Sequence, residues 1–351
     1  MSKQDKINNF DPNGLGDANN NIYGLPYTTE EAEIVIIPVP WEVTVSYSAG
    51  TALGPQAIFN ASFQVDLFDA KIKEAWKIGL AMESVSDDIA SKSESLRRKA
   101  EHYIGLMEEG DSPETNSDME ETRVLINKEC IKLNAWVKNK SLEFIHKNKI
   151  VVLLGGDHST PLGLMQALAE THASFGILQI DAHADLRDAY EGFEFSHASI
   201  MLNALKIQQV SKLVQVGIRD YCEAEVNIIN SSNNRITTFF DRDIKQKQYE
   251  GESWGKICNE IIAQLPNEVY VSFDIDGLDP KLCPNTGTPV AGGFEFEQVL
   301  MLIEKLVDAG KKIIAFDINE VAPGGDEWDA NVGARLLYRI ANLAAMSNGK
   351  V

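Results

Sequence analysis

Short apolar runs, rich in β-branched residues and bounded by Gly, Asp or Pro, recur along this chain. They cover residues 34–38 (IVIIP), 150–154 (IVVLL), 175–180 (FGILQI), 213–216 (LVQV), 236–240 (ITTFF), 269–273 (VYVSF) and 313–316 (IIAF). A strand with one wet face alternates apolar and polar residues; these runs are nearly continuous, so they read as strands covered on both faces. Longer amphipathic stretches separate them, among them 160–171 and 296–309. Strand alternating with helix predicts a parallel sheet clothed by helices, because parallel neighbours need a long crossover that packs back on the sheet.

At 351 residues the chain can bury a large single core. Residues 1–28, rich in Asn, Asp and Gly, read as a flexible arm, and 29–351 as one α/β domain. The polar stretch 84–148 breaks the strand–helix rhythm and predicts an insertion of two helices around an acidic loop. The net charge of −20 repels phosphate backbones, which argues against nucleic-acid binding, and attracts small cations. No apolar run approaches the ~18 residues a membrane span needs, and the N-terminus lacks a signal-peptide core. Cys130, Cys222, Cys258 and Cys283 form no CxxC pair and read as free thiols, so a cytoplasmic protein is expected.

Several runs end in acids or histidine, and in open parallel sheets ligands bind beyond the carboxyl ends of the strands. Gly155-Gly156-Asp157-His158-Ser159 follows the second run; its glycines suit a tight turn, but the motif lacks the Lys of a P-loop and is weak alone. Asp181-Ala182-His183-Ala184-Asp185 follows the third, and in extended chain Asp181, His183 and Asp185 share one side. Asp274-Ile275-Asp276 follows the sixth, again with two carboxylates on one side. Burying four carboxylates and two imidazoles together is costly unless cations neutralise them. The number of acids exceeds what one ion needs and suits two bridged divalent ions, and the oxygen-rich donor set favours Mn2+ over a structural Zn2+.

These motifs resemble the ureohydrolase family of arginases, agmatinases and formiminoglutamases. The matching segments are GGDHS (155–159), DAHADLR (181–187), SHAS (196–199), SFDIDGLDP (272–280), NEVAP (319–323) and GTALGPQAI (50–58). The resemblance implies a single three-layer α/β/α domain around a mostly parallel eight-stranded sheet, and a homo-oligomer, trimeric or hexameric. It implies two Mn2+ ions per chain, with Ni2+ or Co2+ as alternatives. One would be held by His158, Asp181, Asp185 and Asp274, the other by Asp181, His183, Asp274 and Asp276. It gives His197 as proton shuttle and substrate contact, Glu320 as the carboxylate holding a guanidinium, and Asp185 as a stabiliser of the tetrahedral intermediate.

The small cationic substrate so implied is a guanidino compound cleaved to urea and an amine by metal-activated water. Residues 186–196 (LRDAYEGFEFS) and 285–293 (NTGTPVAGG) resemble agmatinases, which makes agmatine the first candidate. Guanidinobutyrate, guanidinopropionate, guanidine, arginine and formiminoglutamate are the alternatives. From other classes come a single-zinc deacetylase and a metal-stabilised binding protein without turnover. His158 and Asp276 favour two metals over one, and His197 with Glu320 favours turnover.

Overall fold

The computed structural model describes residues 2–351. Its strands are β1 (Ile34–Val39), β2 (Leu80–Met82), β3 (Ile150–Gly155), β4 (Phe175–Ile180), β5 (Val210–Ile218), β6 (Ile236–Phe240), β7 (Glu268–Asp274) and β8 (Lys312–Asn319). They form one eight-stranded sheet in the order β2-β1-β3-β8-β7-β4-β5-β6, and every neighbouring pair is parallel. The α/β architecture expected from the motifs is therefore present, with the sheet wholly rather than mostly parallel. Each apolar run lies in a strand. Only β2, three residues long, has no counterpart among the runs, being too short to show a pattern.

The helices are α1 (Lys3–Asn9), α2 (Gly54–Ser62), α3 (Asp87–Glu108), α4 (Ser117–Ile145), α5 (Leu162–Thr171), α6 (Ile200–Leu205), α7 (Glu223–Ser231), α8 (Asp241–Tyr249), α9 (Trp254–Ile262), α10 (Phe296–Asp308) and α11 (Trp328–Ser347). Successive strand side chains point to opposite faces. Ile150, Val152 and Leu154 of β3 accordingly join a core with α2, α9, α10 and α11. Val151 and Leu153 join a second core with α3, α4, α5 and α6. Helix α10 illustrates the local logic. Glu295 and Gln298 form a capping box that starts it, and Val299, Leu300, Leu302, Ile303, Leu306 and Val307 make one buried stripe at helical spacing.

The 84–148 segment folds as α3 and α4, which pack on each other and on the sheet beside α5 through Leu96, Ala100, Tyr103, Ile126, Leu133 and Val137. Within the first 28 residues, Ile22, Tyr23, Leu25 and Tyr27 are buried, and Tyr23 Oη donates to Ala334 O of α11 at 2.7 Å. The cysteines are unpaired. Among the described residues no helix is long and apolar enough to cross a membrane.

Strand order is what assembles the site. The chain lays down β3, then β4, and only later inserts β7 and β8 between them. The carboxyl ends of β3, β8, β7 and β4 thus become consecutive across roughly 15 Å of sheet edge at strand spacing. A reversal of this kind opens a crevice for ligands.

Candidate metal centre

His158 follows β3 through Gly155 and Gly156, where a side chain would collide with Asn319 and with the carbonyl of Trp41. The tight turn brings His158 Nδ1 to 3.0 Å from Asp181 Oδ2, 3.1 Å from Asp185 Oδ2 and 3.3 Å from Asp274 Oδ2. Yet this buried nitrogen has no hydrogen-bond partner, so the oxygens crowd it without lying along an N–H direction. The other ring nitrogen, Nε2, is 2.9 Å from Ser272 Oγ. Ser272 donates its only hydroxyl proton to Asp317 Oδ1 at 3.1 Å, which leaves it to accept from Nε2–H. In the neutral ring that fixes the tautomer with the Nδ1 lone pair facing the carboxylates, the orientation of a metal ligand.

A second cluster lies alongside. His183 Nδ1 is 3.0 Å from Asp276 Oδ2 and 3.6 Å from Asp181 Oδ1. Asp276 Oδ2 is buried and without a hydrogen-bond partner, while Oδ1 accepts from Ala182 N at 3.0 Å. Asp181 therefore turns one oxygen to each imidazole. His158, Asp181 and Asp185 make one compact donor group, and Asp181, His183 and Asp276 the other. Asp274 faces the first through its contact with His158, and its Oδ1 accepts from Asp276 N at 2.8 Å.

The three side chains of the DAHAD motif do converge, but not by lying on one side of an extended strand. Asp185 takes a left-handed φ of 54°, which returns its carboxylate to Asp181 while His183 turns to Asp276. Such strain costs about 1–3 kcal/mol for a residue with a Cβ and persists only where surrounding bonds hold it. Here Met201 N donates to Asp185 O at 3.1 Å, and Leu186 N donates to Glu225 Oε1 at 3.0 Å.

Electrostatics test whether these residues fit cations. The four carboxylates are at most 5% exposed. Burial, followed by the charge of Asp181, pushes Asp185 up to about 7. Burial, Asp276 and Asp181 push Asp274 well above the carboxylate range. Burial would lower His158, but the carboxylates of Asp181, Asp185 and Asp274 crowded around Nδ1 outweigh it and hold the ring well above its ordinary value. Against burial, Asp276 and Asp181 do the same for His183. Asp181 moves the other way: burial is overcome by both imidazoles, which hold it below the usual range. Proton-loving acids beside proton-loving imidazoles mark a deficit of positive charge. Two divalent cations would fill it, and a donor set of carboxylate oxygens and imidazole nitrogens without thiolate suits them.

A cavity of about 130 Å3 opens onto this cluster, lined by His183, Asp185, Arg187, Tyr190, His197, Asp220 and Tyr221. A larger open groove, about 860 Å3 against Tyr27, Leu53 and Glu83, includes none of the candidate residues. His197 faces the small cavity. Burial, then the charges of His183 and His158, drive it down to about 3, so the ring is neutral at neutral pH. Glu320 follows β8 with a left-handed φ of 62°. Its Oε1 accepts from His158 N at 2.8 Å, and burial followed by the charge of Asp157 raises its pKa well above the usual range.

All eight residues singled out in the sequence thus gather at the ends of β3, β4, β7 and β8. The second tier was missed. Asp317 accepts from Ser272, Phe273 N, Asn319 and Tyr270. Gln179 donates to Asp181 Oδ2 at 2.8 Å and in turn accepts from Gln215. Arg219 Nη2 holds the carbonyls of Asp276, Leu278 and Val290. A signal was available for three of them: Ser272, Gln179 and Gln215 are polar residues inside strands that are otherwise apolar on both faces, where an unpartnered polar group is costly.

Comparison with known proteins identifies the family. A sequence model described as the arginase family matches residues 32–342. The N(1)-aminopropylagmatine ureohydrolase of Thermus thermophilus is 31% identical over 324 residues, 92% of this chain and 94% of that one. The agmatinase of Pyrococcus horikoshii is 26% identical, covering 90% of this chain and 93% of its own. The crystal structure of agmatine ureohydrolase from Thermoplasma volcanium superposes with a TM-score of 0.70 at 22% identity, covering 99% of both chains, and so shares the fold.

Proposed function

This chain belongs to the arginase family, and from that premise we propose that it hydrolyses the guanidinium C–N bond of agmatine to give urea and putrescine. The observation that carries the proposal is the pair of carboxylate–imidazole clusters sharing Asp181, with His197 on the wall of the cavity above them. His158, Asp181, Asp185 and Asp274 would hold one divalent cation; Asp181, His183, Asp274 and Asp276 would hold the second, with manganese favoured by the oxygen-rich set. When bound, the pair supplies Lewis acidity that makes water nucleophilic near neutral pH.

The chain's own residues supply position and proton movement. Glu320 is anchored through Oε1 to the His158 amide, and its Oε2 faces Gly287, where any Cβ would crowd it at 3.0 Å. Pairing with a guanidinium would return this raised-pKa acid to the carboxylate form and hold the guanidinium carbon in place. His197, neutral at the start, would take up the proton released by the attacking water and pass it to the departing amine nitrogen. Asp220, exposed at the mouth with Oδ2 3.9 Å from His183 Nε2, offers a carboxylate where the distal ammonium would emerge.

A second reading, N(1)-aminopropylagmatine, is favoured by the relative from Thermus thermophilus, since an open mouth lets a longer amine run outward. Purified protein with added Mn2+ is to be assayed for urea with agmatine, N(1)-aminopropylagmatine, guanidinobutyrate and arginine. The highest kcat/KM is expected for agmatine. Preference for guanidinobutyrate, whose carboxylate Arg187 would take, or no urea from any of the four, would overturn the proposal.

A further inference from the structure

We infer that the α3/α4 hairpin is a clamp on both walls of the cavity, and that Asn127 of α4 is a positioning residue for the substrate tail. The inference rests on the guanidino-amine reading for its kinetic consequence and on geometry for the clamp itself.

The loop of residues 188–196 contributes Tyr190 to the cavity wall, which Asp220 also lines. Tyr190 of this loop stands edge-on to His197, with ring centres 6.1 Å apart at 85°, and the Arg187 guanidinium lies 4.7 Å over its face. The loop has little structure of its own. Tyr190 and Phe193 exchange backbone hydrogen bonds of 3.2 and 2.9 Å, while Glu191 and Gly192 sit at φ of 52° and 81°. Its order comes from elsewhere.

Asn127, only 9% exposed, donates from Nδ2 to Gly192 O at 3.1 Å and accepts Glu194 N on Oδ1 at 2.9 Å. One carboxamide thus serves the loop as a neighbouring strand would. Asn203 Nδ2 of α6 donates to Glu194 O at 2.8 Å from another direction. Phe193 is buried against Tyr103 of α3, ring centres 5.2 Å apart. Gly192 lies so close to the hairpin that a Cβ would come within 2.8 Å of Arg123 Cδ and 2.9 Å of Tyr103 Oη. The second wall, carrying Ser46, is held from α3: buried Arg97 donates to the carbonyls of Val43 and Val45, and Ser93 Oγ accepts Glu42 N at 3.1 Å.

Asn127 does not line the cavity, so it acts on the substrate only through Tyr190 and Arg187. The test uses full-length protein loaded with Mn2+, comparing wild type with Asn127→Ala and, from the loop side, Gly192→Ala. In both variants KM for agmatine should rise about tenfold, with kcat within about twofold, because Asn127→Ala removes two hydrogen bonds from the wall and Gly192→Ala pushes the loop off the hairpin through its Cβ. Metal content should not change, and amide hydrogen exchange over residues 190–196 should accelerate. A KM equal to wild type in both variants overturns the positioning role. Unchanged exchange in Asn127→Ala overturns the clamp. Should wild type release no urea from any guanidino amine, the proposed function fails, while the exchange comparison still decides the clamp.

Discussion

Replacing Ser272 with Ala isolates the most specific claim about the centre, that a relay outside the ligands sets which nitrogen of His158 faces the cation. Ser272 Oγ stands 2.9 Å from His158 Nε2 and donates to Asp317 Oδ1 at 3.1 Å. Both Ser272 and His158 are buried, at 0% and 1% exposure, so water cannot replace the lost hydroxyl without opening the core. An unsatisfied buried donor costs about 1–3 kcal/mol. Part of that cost appears as lower stability. The rest appears in binding, because the freed ring can move its proton to Nδ1, where it displaces a cation. Loss of such an outer partner typically weakens metal affinity about 10–100-fold. Competition titration of Mn2+ against a fluorescent chelator measures this directly, with circular dichroism melts in parallel. The expected result is one weakened site, that of His158, and one unaffected site. A Ser272→Ala protein whose two affinities both match wild type would show that the relay is incidental and that the tautomer is set by something else.

Four further outcomes follow from the same geometry. Asp181→Asn removes the carboxylate that serves both clusters, so metal analysis should find both sites weakened, whereas His183→Ala should weaken one. Glu320→Gln keeps shape but loses charge; kcat/KM for agmatine should fall by about 10²–10³, in line with about 2–5 kcal/mol for breaking a buried charge pair, with metal content unchanged. His197→Asn should lower kcat by about 10²-fold with little effect on KM, as read from initial rates. Chelated protein should lose stability as pH rises from about 4 to about 7. Asp185, raised to about 7 in the fold, binds more protons folded than unfolded, so its contribution is full below the unfolded pKa and vanishes through the folded one. The raised pKa of Asp274 has the same sign. Thermal melts against pH, with and without Mn2+, check this, and parallel curves would contradict the assigned crowding.

Residues 150–154, 175–180 and 269–273 are strands because unbroken β-branched and aliphatic runs can be satisfied only in a sheet covered on both faces. Their polar ends, His158, Asp181, His183, Asp185, Asp274 and Asp276, mark the ligand-bearing edge for the same local reason: acids clustered after a buried strand need a cation. That much the chain alone determined, as it did the family resemblance. What it left open is non-local. The order that slides β7 and β8 between β3 and β4 depends on crossovers dozens of residues long, and periodicity does not encode them. Which oxygen of Asp181 faces which imidazole follows from the left-handed turn at Asp185, and that turn is held by Met201 and Glu225 from distant segments. The role of α3 and α4 was invisible for the same reason. Asn127 and Gly192 are 65 positions apart, and one Asn among several in a polar helix carries no mark of its partner until packing, which pairs surfaces rather than neighbours in sequence, brings the two together.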